Sequence, residues 1–463
     1  MSKASTKSPT SKRTGKNGKQ LGHSSTDLRA GKTGKELGHA STQSRAGKHS
    51  PIPQEEGIQD TGPSLYSQLK LLIMGRDRVP QRIRTYLEPR IPKTVRQGQW
   101  FDHRVILMVL AVKGVVILFA GQSYQVFENK ALPTLYGWIE IWNRWDSVRH
   151  MRLAESGYTN VGMWRMDIVG FPLHPWLVRL GAFIFQDYLV SAFVISGLAS
   201  VAAGLLLYRL ASIDHSDQLA LTSVWFLLIF PTSYFLHINY NESLFLALTV
   251  GCFLAARKER WPLVGILGAL ACLTRLNGLV IFPALVVEVF QQYRATRRWQ
   301  WQWLWILVVP LGFGCYLLLN KQVTGDMFAF IAAGREFFFK SFATPWDGVR
   351  GTYNMMWSDP PTNAQMLGVQ EFVFLMLGAV STIACWRVLR PAYAVWMAGN
   401  WLLFSSIGFV LSIPRYTLVL FPIYLLFAKL AVARLWVKIL ITTWSLLYLA
   451  LFASLFVRGH WAF

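Results

Sequence analysis

The chain is short of charge, and above all of negative charge. Asp and Glu number 24 against 46 Lys and Arg, and together these four make up 15% of 463 residues, where a soluble protein carries about 25%. With 53% of the sequence hydrophobic, this deficit excludes an ordinary soluble fold and requires several apolar segments of membrane length. Cysteine is scarce as well. Cys252, Cys272, Cys315 and Cys385 all sit inside apolar stretches and none belongs to a C-x-x-C pair, which argues against a disulfide framework or a zinc knuckle. Neither H-x-x-x-H nor D-x-D occurs, so the sequence gives no reason to expect a metal or a cofactor. No long apolar run precedes about residue 105, so no cleavable leader is visible and that run is expected to be an internal first anchor.

What is present in excess is positive charge, formally +22. Spread over a soluble fold it would point to nucleic acid. It is instead concentrated: residues 1–50 hold eleven Lys and Arg against two acidic residues, and much of the remainder lies between apolar runs. Nucleic acid is therefore not an expected partner. Residues 18–32, GKQLGHSSTDLRAGK, recur sixteen positions later as 34–48, GKELGHASTQSRAGK. Such a segment has too little apolar surface to offset the entropy of ordering its backbone. Residues 1–62 are accordingly read as a disordered basic cytoplasmic tail, 63–104 as a cytoplasmic juxtamembrane segment, and 105–463 as a polytopic membrane domain.

The fold class expected is all-α and polytopic. Apolar runs predict about eleven spans, at 105–127, 183–209, 218–238, 241–256, 261–274, 278–293, 301–319, 371–388, 391–411, 417–432 and 439–457. With the basic tail inside, alternation puts Arg209, the run Arg257, Lys258 and Arg260, the run Arg294, Arg297 and Arg298, the pair Arg387 and Arg390, and Lys429, Arg434 and Lys438 in the cytoplasm, as the positive-inside rule requires. The charged residues left on the other side are exceptions to that rule. They are NRWDSVRH at 143–150, INYNESLF at 238–245, LTRLNG at 273–278 and IPRYT at 413–417.

In the first of these, Asp146 lies between Arg144 and Arg149, with His150 adjacent. Flanking cations keep a carboxylate ionised, as a base must be to take a proton from a hydroxyl. The plainer reading is a solvated loop with compensating charges, and Trp142 and Trp145 serve equally as interfacial anchors or as a wall against lipid or sugar. Asn241 or Ser243 could simply cap a helix, whereas Glu242 is harder to dismiss, being favourable at a helix start yet costly any deeper in the membrane. Arg275, beside Asn277, either snorkels from a buried stem or pairs with phosphate, for which a guanidinium is well shaped. Arg415 is a further lone cation. The outer stretch 324–350 adds Phe328, Phe330, Phe337, Phe338, Phe339 and Trp346, more aromatic surface than a solvated loop needs, with Asp326 and Asp347 as weaker site candidates.

Taken in order, NRWDSVRHMRLAESGY, GFPLHPWLVR, FPTSYFLHINYNESLF, LTRLNGLVIFP, GDMFAFIAAGREFF followed by PW, and IPRYTLVLFP resemble the GPI mannosyltransferase 2 family and its prokaryotic relatives, over roughly residues 105–435. The resemblance implies a membrane glycosyltransferase of the GT-C class, with helical extracytoplasmic loops. It would transfer a hexosyl group, usually mannosyl, from a polyprenyl-phosphate-linked donor to a lipid or glycan acceptor on the outer face. It further implies that Asp146 is the general base, that the sugar carbon inverts, and that Arg144, Arg149, His150 and Arg275 hold the donor phosphate while Glu242, Asn277 and Arg415 line the pocket. Relatives often carry an acidic pair in the first loop; here the companions of Asp146 are Glu140, Glu155 and Asp167. The implied location is a prokaryotic plasma membrane, or the endoplasmic reticulum of a eukaryote. A transporter or lipid flippase would share the spans and the buried charges, but should show two matching halves, which this sequence does not.

Overall fold

A computed structural model of the chain describes residues 101–463. The basic tail, its repeat and nearly all of the 63–104 segment lie outside the described residues. Among the described residues the structure is helical throughout, apart from a single bridge between Phe342 and Ile407. Six helices are long and apolar enough to cross a membrane: His103–Glu128, Tyr188–Asp214, Leu276–Thr296, Trp301–Thr324, Pro361–Val388 and Leu435–Val457. A seventh candidate is the pair Met163–Val169 and Leu173–Phe185, bent by 107° at its break. The protein is an integral membrane protein.

The expected eleven spans do not all become full-length helices, and the breaks have local causes. Asp217–Leu228, Trp261–Cys272 and Pro422–Ala433 are 12 residues each, about 18 Å at the α-helical rise, against a hydrocarbon core of about 30 Å. The run expected at 218–238 stops before Pro231, which has no N–H to continue the ladder and disfavours helix in the residue ahead of it. From Ile229 to Tyr240 the chain is buried yet turns irregularly, so its polar groups need protein partners. Thr232 donates its hydroxyl to the Pro414 carbonyl at 2.8 Å, Ser233 donates to the Leu228 carbonyl at 2.5 Å, and Tyr234 donates to the Ala462 carbonyl.

Small residues let the bundle close. A β-carbon on Gly312 would collide with the Ala269 carbonyl, so Trp261–Cys272 and Val309–Thr324 approach backbone to backbone, as small residues permit in lipid. At one end of the bundle Arg458 pairs with Glu128 at 2.9 Å and the Trp461 ring lies 5.2 Å from Trp145. At the other, Arg104 joins Asp217 at 2.9 Å, Arg257 joins Asp214 at 2.6 Å, and Arg390 joins Glu288 at 2.8 Å. The helix Leu435–Val457 separates these two ends, and Asp146, Glu242, Arg275 and Arg415 all gather at the first.

Candidate functional site

Asp146 begins the helix Asp146–Glu155. The residue before it, Trp145, has φ 54° and ψ −121°, a left-handed backbone that crowds a side chain and persists only where the surroundings enforce it. The enforcement is visible. Ser147 donates its hydroxyl to Asn143 Oδ1 at 2.8 Å, and Asn239 donates Nδ2 to both the carbonyl and the hydroxyl of Ser147 at 3.0 Å. The first helical turn is thereby pinned to the buried 229–240 segment.

The Asp146 side chain remains one-third exposed at 33%, and each oxygen has its own cation. Arg149 Nη1 lies 3.3 Å from Oδ1 and Arg415 Nη1 lies 2.8 Å from Oδ2. Burial pushes the carboxyl up, but Arg415 and Arg149 more than reverse this and hold it well below the usual carboxylate range. Arg415 also brings Nε to 3.0 Å from Glu242 Oε1, close enough for an ion pair although not aligned as a hydrogen bond. Glu242 is fully buried and accepts from Arg275 Nη1 at 2.5 Å on the same oxygen. Arg275 is held in turn by Asn241 Oδ1 at 3.1 Å. At the opposite edge Asp167, nearly inaccessible, accepts from Arg149 Nε at 3.1 Å and from Arg152 Nε at 2.6 Å. One unbroken series of alternating charges therefore runs from Asp167 through Arg149, Asp146, Arg415 and Glu242 to Arg275.

Tyr416 marks where this series has surplus positive charge. Its ring centre lies 5.3 Å from the Arg275 guanidinium, 5.6 Å from that of Arg415 and 5.8 Å from Lys340 Nζ, and Lys340 donates to its hydroxyl at 3.2 Å. Three cations around one ring repel each other unless an anion or a π-face screens them. Lys340 reaches the site from the aromatic outer stretch, because the helix Ala329–Phe338 lies against the Met163–Val169 turn. There Phe338 stacks on Arg149, ring centre 4.5 Å from the guanidinium. The stretch thus touches the site on both sides, at Arg149 and at Tyr416. Counting the network, three carboxylates face Arg149, Arg152, Arg275, Arg415 and Lys340, which leaves two positive charges unmatched.

The structure brings Asp146, Arg149, Glu242, Arg275 and Arg415 into direct contact. His150 sits beside them, half-buried, with Nδ1 3.4 Å from the Asn239 carbonyl and its ring 5.1 Å from His174. Burial lowers its pKa, so it is neutral at neutral pH and adds no charge to the cluster. Two expected residues spend their polar groups elsewhere. Asn277 donates to Asn400 Oδ1 at 2.7 Å, an amide pair between helices, and Arg144 donates Nε to the Ile141 carbonyl at 3.3 Å. Of the weaker acidic candidates, Asp347 forms a capping box with Thr344, and Asp326 accepts the Phe328 N–H at 2.9 Å. Lys340 is the site residue that sequence reasoning missed; the aromatic density around it was the available signal.

Residues 170–320 match the family described as Dolichyl-phosphate-mannose-protein mannosyltransferase. The chain is 29% identical over 138 residues to GPI mannosyltransferase 2 of Yarrowia lipolytica, a match covering 29% of this chain and 37% of the relative. It is 30% identical over 149 residues to GPI alpha-1,6-mannosyltransferase 2 of Mus musculus, covering 30% of this chain and 29% of that one. The chain thus spans about a third of the length of the curated relatives it matches. Among solved structures, ArnT from Cupriavidus metallidurans bound to undecaprenyl phosphate aligns with a TM-score of 0.43 at 15% identity, over 72% of this chain and 60% of that chain. The family that the sequence motifs resemble is the one to which these curated relatives belong.

Proposed function

We propose that this protein is a GT-C-type membrane glycosyltransferase that moves a mannosyl group from a polyprenyl-phosphate-linked donor to a lipid or glycan acceptor. The observation that carries the reading is the Arg415–Asp146 pair: an ionised, partly exposed carboxylate beside a cluster with surplus positive charge. Asp146 takes the proton from the acceptor hydroxyl as that oxygen attacks the anomeric carbon. The bond from this carbon to the phosphate oxygen breaks, its electron pair stays on the phosphate, and the carbon inverts.

The donor phosphate is a singly charged diester, and as the bond breaks it becomes a doubly charged monoester. Arg275, Arg415 and Lys340 face the place where that charge develops, so they favour the transition state over the bound donor. Glu242, fully buried under two arginines, orients those arginines and is not a second base. The active face is extracytoplasmic in this reading. Its support is that the basic segments around Arg257, Arg294 and Arg390 follow helices that run away from the Asp146 end, while the one around Lys438 starts a helix that runs toward it. The matched descriptions name both protein and GPI acceptors and agree only on the mannosyl group, so the acceptor class stays broad. A prokaryotic plasma membrane, with undecaprenyl or dolichyl phosphate as carrier, fits the same chemistry.

The test is transfer from labelled mannosyl polyprenyl phosphates to lipids extracted from the source cells, comparing wild type with Asp146→Asn. Loss of about a hundredfold or more in the variant is expected of a general base. Equal product from both proteins would remove Asp146 from the chemistry.

A further inference from the structure

Glu371 lies far from the charged cluster in sequence and opens a stretch that reads simply as apolar span. Its carboxylate is nonetheless fully buried. Both oxygens accept consecutive backbone N–H groups, Oε1 from Ser412 at 2.7 Å and Oε2 from Ile413 at 2.6 Å. These two residues form a sharp turn in which Ser412 is left-handed at φ 71° and Ile413 starts the helix Ile413–Leu418. Turns of this kind aim successive N–H groups at one point, where an anion stabilises them. Ser412 has a β-carbon and gains nothing from that φ by itself, so the turn depends on what accepts its N–H groups. Two residues further on stands Arg415. The turn is clasped from the other side as well, where Thr232 donates to the Pro414 carbonyl at 2.8 Å.

We propose that Glu371 is a positioning residue for the transfer reaction: its carboxylate folds the Ser412–Ile413 turn and so holds the Arg415 guanidinium between Asp146 and Glu242. This rests on the reading of the site as a glycosyltransferase centre. Glu371 touches neither substrate nor reacting atoms and acts through Arg415. A fully buried carboxyl group is costly in a membrane bundle, and this one holds the turn that carries Arg415. Removing the acceptor frees the 412–415 segment, and Arg415 then no longer faces Asp146 in one fixed geometry.

Asp146 is the sensor for this. It is faced by Arg149 and His150 from its own helix, by Arg415 from the Ile413–Leu418 helix, and through Arg415 by Glu242. If Arg415 drifts, Asp146 loses the largest of the effects that hold its pKa down and protonates at higher pH.

The experiment compares Glu371→Ala and Glu371→Gln with wild type in two measurements. In the transfer assay, Glu371→Ala is expected to lower kcat/KM by about ten- to a hundredfold and to move the acid limb of its pH profile upward. Glu371→Gln keeps one acceptor oxygen but sets its amide NH2 against the second backbone N–H, and should recover only part of the loss. In the second measurement, thermal unfolding in detergent, Glu371→Ala and Arg415→Ala are combined. Their effects should be clearly less than additive, because each alone disrupts the same contact. An unmoved acid limb, or full additivity in the unfolding cycle, overturns the proposal. Absence of transfer by wild type itself would instead bear on the glycosyltransferase reading, and the unfolding cycle would still decide the role of Glu371.

Discussion

Arg415 places Nη1 2.8 Å from Asp146 Oδ2, across 269 residues of chain. Its Nε lies 3.0 Å from Glu242 Oε1, so one guanidinium spans a partly exposed carboxylate and a buried one. The two carboxylates are thereby given different work. Glu242 has no access to solvent and is spent on holding cations, while Asp146 keeps a third of its side chain open and is free to receive a proton.

Replacing Arg415 therefore has two separable consequences. Arg415→Ala leaves Glu242 buried but still paired with Arg275, so the loss should stay below the roughly 3–5 kcal/mol of a buried charge left without any partner, to be read as a fall in melting temperature in detergent. Arg415→Lys retains the charge but cannot span both carboxylates with one planar fork, so it should restore much of the stability and little of the activity. The pH dependence follows from sign. Asp146 has a depressed pKa in the folded protein, because its cations outweigh its burial. Its contribution to stability is thus present above the ordinary carboxylate range and lost only as the pH falls through the lower, native value. Wild-type kcat/KM should show no acid limb from Asp146 between about pH 5 and 8, and Arg415→Ala should move that limb upward while Arg415→Lys, which keeps the charge, moves it less. A wild-type limb near pH 6 would contradict the arrangement.

Lys340 tests the anion side of the site without disturbing the bundle, because it is exposed and joined to Tyr416 by a single surface hydrogen bond. Lys340→Ala should leave the melting temperature within about 1–2 °C, as surface substitutions do, and weaken binding of polyprenyl phosphate by roughly tenfold, the worth of one charge-assisted contact. Lys340→Arg should bind nearly as wild type. Binding measured by displacement of a fluorescent polyprenyl phosphate would decide it, and unchanged affinity in Lys340→Ala would place the phosphate elsewhere.

The parts of the site visible in the sequence are those built from near neighbours. Asp146 and Arg149 are three residues apart on one helix, and the composition of NRWDSVRH already marks them as out of place beside apolar runs. The all-helical membrane architecture is likewise plain from the runs themselves. What the sequence conceals is anything that depends on which distant residue arrives. Arg415 looks like one more lone cation until its 269-residue contact with Asp146 is seen. Asn277 reads as a pocket residue beside Arg275, but a helix crossing turns it toward Asn400. Asp167 reads as a possible second acid and proves to be saturated by Arg149 and Arg152. The short and broken helices are hidden for a different reason. Apolar composition does not register a backbone break when side-chain hydroxyls such as Thr232 and Ser233 satisfy the freed groups, and Pro231 and Pro422 divide runs that hydropathy joins.

Those breaks make close helix contacts matter, and two glycines on one helix give an internal control. Gly312 and Gly314 both lie in Val309–Thr324, but a β-carbon on Gly312 would meet the Ala269 carbonyl while one on Gly314 meets nothing within 4 Å. Gly312→Ala must push apart two backbones, neither of which can rotate away as a side chain could, at an overpacking cost of about 1–3 kcal/mol. Gly314→Ala should be neutral or gain slightly, since alanine restricts the unfolded chain. Helix Trp261–Cys272 leads directly into Thr274 and Arg275, so displacing it should also loosen the Arg275–Glu242 pair and lower transfer activity in the Gly312 variant alone. Melting curves and initial rates for the two variants, run in parallel, separate a specific backbone contact from a general sensitivity of the helix. Equal losses in both would show that the crossing at Ala269 does not set the position of Arg275.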